Sequence, residues 1–311
     1  MSKIAILFPG QGSQFVGMGK EFLESDSDAQ ALMATAEEIS GFPLGKLCLE
    51  GPMEDLTRTL HLQPAITVLN LICWQAMAKA GVKGDFFAGH SLGEYSALHA
   101  AGVLSVEDTL KLVTERGRLM EREATANPGA MSAILKLGIK DVEEIVTACK
   151  DRGEVTAANY NSAQQIVISG AKEAVAAAGA LAADKGGKAV PLPVSGAWHS
   201  KLIAGAIPDF EKAMAAVTFK PPQSTMLFNV TAAPESDPEA IRTIMSRQIA
   251  AMVRWYESIM NMYDQGATIF IEVGPKKVLT GLMKKLLPAG HDCTCLQVED
   301  PASLATCLEK L

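Results

Sequence analysis

Several features that assign a chain quickly are missing from this one. No apolar run approaches the length of a bilayer-spanning helix, so a membrane-embedded protein is not expected. The apolar part of residues 1–10 is too short for a secretory leader and reads instead as a first strand. Six cysteines occur in 311 residues, without a C-x-x-C pair or a zinc-ligand spacing, which leaves reduced thiols and no metal as the expectation. A basic excess is absent: the formal charge is −7, which argues against a general nucleic-acid or anionic-membrane binder. Phe15 stands where G-x-G-x-x-G would need a glycine after Gly10 and Gly12, and no G-K-[ST] follows, so a phosphate-cradling loop is not indicated. Repeats and low-complexity tracts are lacking too. Histidine is scarce, with five in the chain, which shortens the search for a catalytic base.

What is present points to a folded α/β protein. The chain is 48% apolar and 311 residues long, enough for one large or two moderate domains. Strand-like runs at 3–8, 85–89, 225–230, 268–273 and 293–298 alternate with helical runs at 54–60, 64–80, 239–265 and 276–287, the pattern of a mostly parallel sheet. The middle differs. After the break Asn127-Pro128-Gly129 come a strand (130–136), a helix (139–150), a strand (154–159), a hairpin around Asn161-Ser162, a strand (165–169), an Ala-rich helix (171–184) and a strand (188–193). That is β-α-β-β-α-β, the ferredoxin-like order. The expected organisation is a large α/β domain, 1–126 and 194–311, with a small domain, 127–193, inserted in it. A cleft between the two is the usual place for a ligand.

The strongest chemical signal is Gly89-His90-Ser91-Leu92-Gly93, between the apolar run Asp85-Phe86-Phe87-Ala88 and a helix-like run from Glu94. Strand, G-x-S-x-G, helix is the order of a nucleophile elbow. The turn is too sharp for large neighbours, and it lifts the hydroxyl to a helix N-terminus, where backbone N–H groups favour negative charge. Such a serine is built to attack a carbonyl and to stabilise the oxyanion that follows.

A serine hydroxyl needs a base within reach. His90 leaves the turn in another direction. His99 lies about 12 Å along the helix by its rise, His61 sits in an upstream connection, and His291 precedes a strand, at the wrong edge of a parallel sheet. His199, after the strand at 188–193 and Ser195-Gly196-Ala197-Trp198, is the base expected. No Asp or Glu nearby completes a triad, so a distant acid or a backbone carbonyl must orient the imidazole.

Arg116 follows from helix arithmetic. The elbow helix ends at Gly102 after carrying the chain about 15 Å away, and the helix that Ser105-Val106-Glu107-Asp108 opens returns it by a similar distance at residue 116. If the two are antiparallel neighbours, the guanidinium is level with Ser91, with Gly117 leaving it room. Arginine suits bidentate capture of a carboxylate. The loop Gly10-Gln11-Gly12-Ser13-Gln14 then has a different use, with Gln11 supplying a second oxyanion N–H.

These motifs, with Gln63-Pro64-Ala65, Glu94-Tyr95, Arg116-Gly117, Asn159-Tyr160-Asn161-Ser162, Trp198-His199-Ser200, Gln248, Glu272-Val273-Gly274-Pro275 and Val278-Leu279 in this order, make the whole chain similar to the malonyl-CoA:acyl carrier protein transacylases of type II fatty-acid synthesis. The resemblance implies a hydrolase-like large domain with a ferredoxin-like small one. It also implies ping-pong transfer of malonyl from coenzyme A, through Ser91 and His199, to the thiol of an acyl carrier protein. Gln11 and Leu92 would form the oxyanion hole, Arg116 would hold the malonyl carboxylate, and the Gln248 carbonyl would orient His199. Asn161 and Trp198 would line the pocket, a bulky Trp198 disfavouring branched malonates. No cofactor, a cytoplasmic location and a monomer complete the expectation. Because carrier proteins are acidic and this chain is net negative, docking needs a local basic patch; Lys276, Lys277, Lys284 and Lys285 are expected to cluster on one helix. Three alternatives keep part of this reading: a stand-alone acyltransferase of polyketide synthesis, a serine thioesterase or hydrolase, and a non-catalytic carrier-binding scaffold.

Overall fold

The computed structural model describes residues 2–194 and 196–311; Ser195, in the connection toward His199, lies outside them. Among the described residues nine strands follow one another: β1 (Lys3–Phe8), β2 (Phe86–Gly89), β3 (Ala130–Leu135), β4 (Val155–Ser162), β5 (Gln165–Gly170), β6 (Lys188–Pro191), β7 (Thr225–Met226), β8 (Ala267–Val273) and β9 (Thr294–Val298). Five make a parallel sheet in the order β7-β2-β1-β8-β9, and four make an antiparallel sheet in the order β4-β5-β3-β6. The parallel strands are covered on both faces, which is why they read as nearly continuous apolar runs. All of β2 and residues 5–8 of β1 are buried. Phe8 pairs with Gly89, so the loop after β1 and the elbow after β2 leave the sheet level with each other.

Two long helices pack beside that edge. The central helix, Thr59–Lys79, is buried without interruption from Leu62 to Cys73, as befits a helix apolar on all sides. The return helix, Val106–Ala126, is amphipathic and buries Leu112, Val113, Arg116, Gly117, Leu119 and Met120. Its start is fixed where the capping pattern predicts, because the Ser105 side chain accepts the Asp108 N–H at 3.0 Å. A Cβ on Gly117 would press on the Thr59 carbonyl of the central helix. The absent side chain therefore lets the two helices approach, rather than leaving room for the guanidinium.

The antiparallel sheet carries helices Ile139–Ala148 and Lys172–Asp184, which enclose a separate core of Ile134, Val142, Ile145, Ile166, Ile168 and the small Ala174, Ala178 and Ala182. Strand order and connections are those of the ferredoxin-like arrangement, and the whole is α/β, a mostly parallel sheet with a small antiparallel domain.

Three expectations need correction. The run 225–230 yields only the short β7. The chain then turns back, with the Ala232 N–H donating to the Phe228 carbonyl at 2.8 Å, and Leu227 and Phe228, which lie beyond the strand, are buried in the hydrophobic cores of the large domain. The helical run 239–265 is two helices, Pro238–Gln248 and Trp255–Asp264. Between them Val253 exchanges backbone hydrogen bonds of 2.8 Å with Ala158 and Tyr160 of β4, so a sheet edge outcompetes the helix there. Asn161 and Ser162 belong to β4, and the hairpin turns one step later because Ser162 pairs with Gln165. No helix among the described residues is long and apolar enough to cross a membrane.

Candidate active site

Ser91 sits at φ 53°, in the left-handed region, a conformation held only where the surroundings enforce it. Close packing does so here: a Cβ on Gly89 would run into the Gly93 backbone, and one on Gly93 into the Phe8 carbonyl. Asn229 braces the turn. Its Oδ1 accepts the Ser91 N–H at 2.7 Å, and its Nδ2 donates to the Gly89 carbonyl at 2.7 Å.

His199 reaches the serine, with Nε2 2.7 Å from Ser91 Oγ. The strand before it, β6, belongs to the antiparallel sheet, so the edge-of-sheet argument does not place it. The chain crosses back from the small domain, and the His199 N–H donates to the Ile249 carbonyl at 3.2 Å. Nδ1 lies 3.1 Å from the Gln248 carbonyl and 3.0 Å from the Ala251 carbonyl. Carbonyls only accept, so Nδ1 carries the proton and Nε2 is free to accept from Ser91. Both carbonyls come from the stretch where the helical run breaks. Burial pushes the imidazole down to about 3, with the positive charge of Arg116 adding to it against the two carbonyls. His199 is therefore neutral across the physiological range, as a base must be.

Arg116 is 1% exposed. Its Nη2 donates to Ser91 Oγ at 3.3 Å and to Gln248 Oε1 at 3.0 Å, and its Nη1 donates to Gln63 Oε1 at 2.9 Å. The guanidinium also lies over the Tyr95 ring, 5.5 Å from its centroid. Every direct partner is neutral, and Nε finds no acceptor among the described residues. Burial lowers its pKa from the usual value, but a guanidinium stays protonated. A buried cation without a contacting carboxylate is costly, and it is best relieved by an anion brought in by a ligand.

Gln11, Leu92, Arg116, Asn161, Trp198 and His199 all line one cavity of about 260 Å³ around Ser91. It opens between the two sheets, with Met131, Asn159 and Val167 as one wall and Val278, Leu279 and Leu282 as another. Among the described residues, neither the Gln11 nor the Leu92 amide donates to a main-chain carbonyl. A reacting oxygen at the head of the elbow helix could take both. His90 is directed to Asn161 rather than to Ser91 Oγ, its Nε2 meeting Asn161 Oδ1 at 2.8 Å, and it too lines the cavity.

The lysines divide. Only Lys284 and Lys285 are on the helix Val278–Leu286, while Lys276 and Lys277 precede it. Gly274-Pro275 is followed by a turn in which Lys276 takes φ 64° and its N–H donates to Glu299. The helix itself starts two residues later than expected. Lys277, Lys284 and Lys285 are exposed.

Sequence reasoning missed Asn229, Glu94, Gln63 and the side chain of Gln248. The last donates to the Ser91 carbonyl at 2.7 Å and to Glu94 Oε2 at 2.8 Å. Glu94 Oε1 accepts the Asn229 N–H at 2.7 Å. Burial raises the Glu94 carboxyl to about 8, against the pull of Asn229, Gln248 and Arg116. The sequence marked Glu94 only as part of the motif Glu94-Tyr95 and as a charged residue opening an otherwise mostly apolar helix, with no role attached.

A serine on a strained elbow, a neutral imidazole in contact with it, and the Gln11 and Leu92 amides, one in the loop after β1 and one at the head of the elbow helix, define an acyl-transfer site on an α/β scaffold. The comparisons agree. The Acyl transferase domain family matches residues 6–300, and the chain belongs to that family. A malonyl CoA-acyl carrier protein transacylase of Bacillus subtilis is 39% identical, covering 100% of this chain and 98% of its own. One from Escherichia coli K12 is 38% identical over 99% of this chain and all of its own length. Among solved structures, an acyl carrier protein S-malonyltransferase from Vibrio cholerae superposes with TM-score 0.94 at 39% identity, covering 98% of this chain and 100% of the other. A malonyl-transacylase solved with a type II polyketide acyl-carrier protein gives TM-score 0.95 at 35% identity, with both chains fully covered.

Proposed function

We propose that this chain moves a malonyl group from malonyl-CoA to the phosphopantetheine thiol of an acyl carrier protein, through a malonyl ester on Ser91. In the first half-reaction Ser91 Oγ attacks the thioester carbonyl and His199 Nε2 takes its proton. The oxyanion is held by the Gln11 and Leu92 amides. Collapse expels the coenzyme A thiolate, which takes the proton back from His199. In the second half the carrier thiol gives its proton to His199 and attacks the ester, and Ser91 is regenerated with its proton. These steps balance on side chains and backbone alone. The Gln248 and Ala251 carbonyls act as the group that orients the base. Asn161 and Trp198 shape the space around the acyl group.

The observation that carries the malonyl reading is Arg116, a buried guanidinium 3.3 Å from the nucleophile with only neutral partners in contact. A free carboxylate at the far end of the acyl group supplies what it lacks. We assign the docking surface to the exposed Lys277, Lys284 and Lys285, because Val278 and Leu282 on the same helix stretch line the cavity; Lys276 flanks it. We further take residues 127–193 as the inserted domain, 1–126 and 194–311 as the large one, and the cytoplasm as the site of action. Intact-mass measurement tests the core of this. Malonyl-CoA should add one malonyl group to the protein, Ser91→Ala should add none, and a holo carrier protein should discharge the adduct faster than water does. An adduct that only water removes would instead mark a hydrolase.

A further inference from the structure

We propose that Glu94 is a positioning residue for acyl selectivity: it fixes the Gln248 amide in the one orientation that presents oxygen to Arg116. The argument is one of hydrogen-bond polarity. Arg116 has only donors, so Gln248 must offer it Oε1, at 3.0 Å. The two Nε2 protons are then committed to the Ser91 carbonyl at 2.7 Å and to Glu94 Oε2 at 2.8 Å. The other carboxylate oxygen takes the Asn229 N–H at 2.7 Å, and Asn229 braces the elbow. Glu94 is fully buried; among the described residues its carboxylate is hydrogen-bonded to Gln248 and the Asn229 N–H, not to Ser91 or His199, and it does not line the cavity. Its two accepting oxygens set the direction of a chain that runs through Gln248 to the guanidinium.

The near-isosteric change Glu94→Gln offers one acceptor where two are needed. Either the Asn229 N–H goes unpaired, or Gln248 must turn and set its own donors against Arg116. The shorter Glu94→Asp keeps two acceptors. A side chain that merely fills space would tolerate the first change better than the second; a polarity-setting one reverses that order.

This inference rests on the carboxylate-clamp reading of Arg116. The test is the rate of Ser91 adduct formation with malonyl-CoA and, separately, acetyl-CoA, followed by mass spectrometry at about pH 9, above the value of about 8 to which burial raises the Glu94 carboxyl. A hydrogen bond to a charged group corresponds to about 10- to 100-fold in rate. Glu94→Gln should slow malonyl loading by about that factor and acetyl loading by no more than about threefold, with Glu94→Asp nearer to wild type. An unchanged malonyl-to-acetyl ratio in Glu94→Gln, or a larger loss of that ratio in Glu94→Asp, would overturn the proposal. Should Glu94→Gln fail to fold, Gln248→Met interrupts the same chain and should show the same selective loss; an unchanged ratio there counts equally against it. If Arg116→Ala leaves the ratio intact, the clamp reading fails; if Arg116→Ala collapses the ratio and Glu94→Gln does not, only the role of Glu94 fails.

Discussion

The two faces of the return helix treat arginine in opposite ways. On the outer face Arg122 pairs with Glu123 and Asp209, each at 2.7 Å, and Arg118 pairs with Glu115. On the inner face Arg116 is buried and touches only neutral oxygens and the Tyr95 ring. Ion pairs whose arginine is open to solvent, as Arg118 and Arg122 are, contribute little to stability. A buried guanidinium of the second kind is unfavourable in the resting protein, and the chain keeps it beside the nucleophile. The contrast separates a solvated, paired charge from a buried one with no carboxylate in contact, which is the observation behind the proposed carboxylate clamp.

The sharpest way to break that comparison is Arg116→Ala. Loss of a buried charge partner should lower kcat/KM for malonyl-CoA by about two orders of magnitude or more, roughly 3 kcal/mol, while acetyl transfer changes only a few-fold. Steady-state kinetics on both thioesters reads this directly. Exposed cations away from the cavity should act on the partner alone. Reversing Lys284 and Lys285 to Glu should raise KM for the carrier protein several-fold and leave loading from CoA unchanged. Smaller still is the expected response to pH. His199 is held down to about 3, so its base form is lost only as pH falls toward that value. Acetyl loading should stay level, within about twofold, between pH 5 and 7; a limb near the ordinary histidine value would show that the imidazole is not shielded as described. Arg122→Ala should do least, leaving both thioester rates at wild-type values.

Much of this arrangement was legible from the chain because it obeys local rules. The elbow is a contiguous motif with its strand and helix attached. Arg116 followed from helix rise, since the first eleven residues of the long return helix bring the chain back by about the distance that the short elbow helix carried it away. His199 was reached by eliminating four other histidines, although the sheet-edge argument offered for it belongs to the other sheet. The missing parts share a cause. Asn229, Glu94, Gln63 and the Gln248 side chain come from four separate segments, and only the folded geometry closes hydrogen bonds across sequence separations as large as 157 residues. The break at 249–254 was hidden because apolar periodicity continues through it, while pairing of Val253 with β4, a tertiary contact, ends the helix and frees the Ala251 carbonyl for His199.

The most direct test of the central claim is a crystal structure of the acyl-enzyme trapped after reaction with malonyl-CoA. The account predicts the free malonyl carboxylate within about 3 Å of the Arg116 guanidinium, in the two-pronged geometry that arginine and carboxylate adopt, with the ester oxygen at the Gln11 and Leu92 amides. A malonyl ester on Ser91 whose carboxylate points to solvent, leaving Arg116 on Gln63 and Gln248 alone, would contradict it.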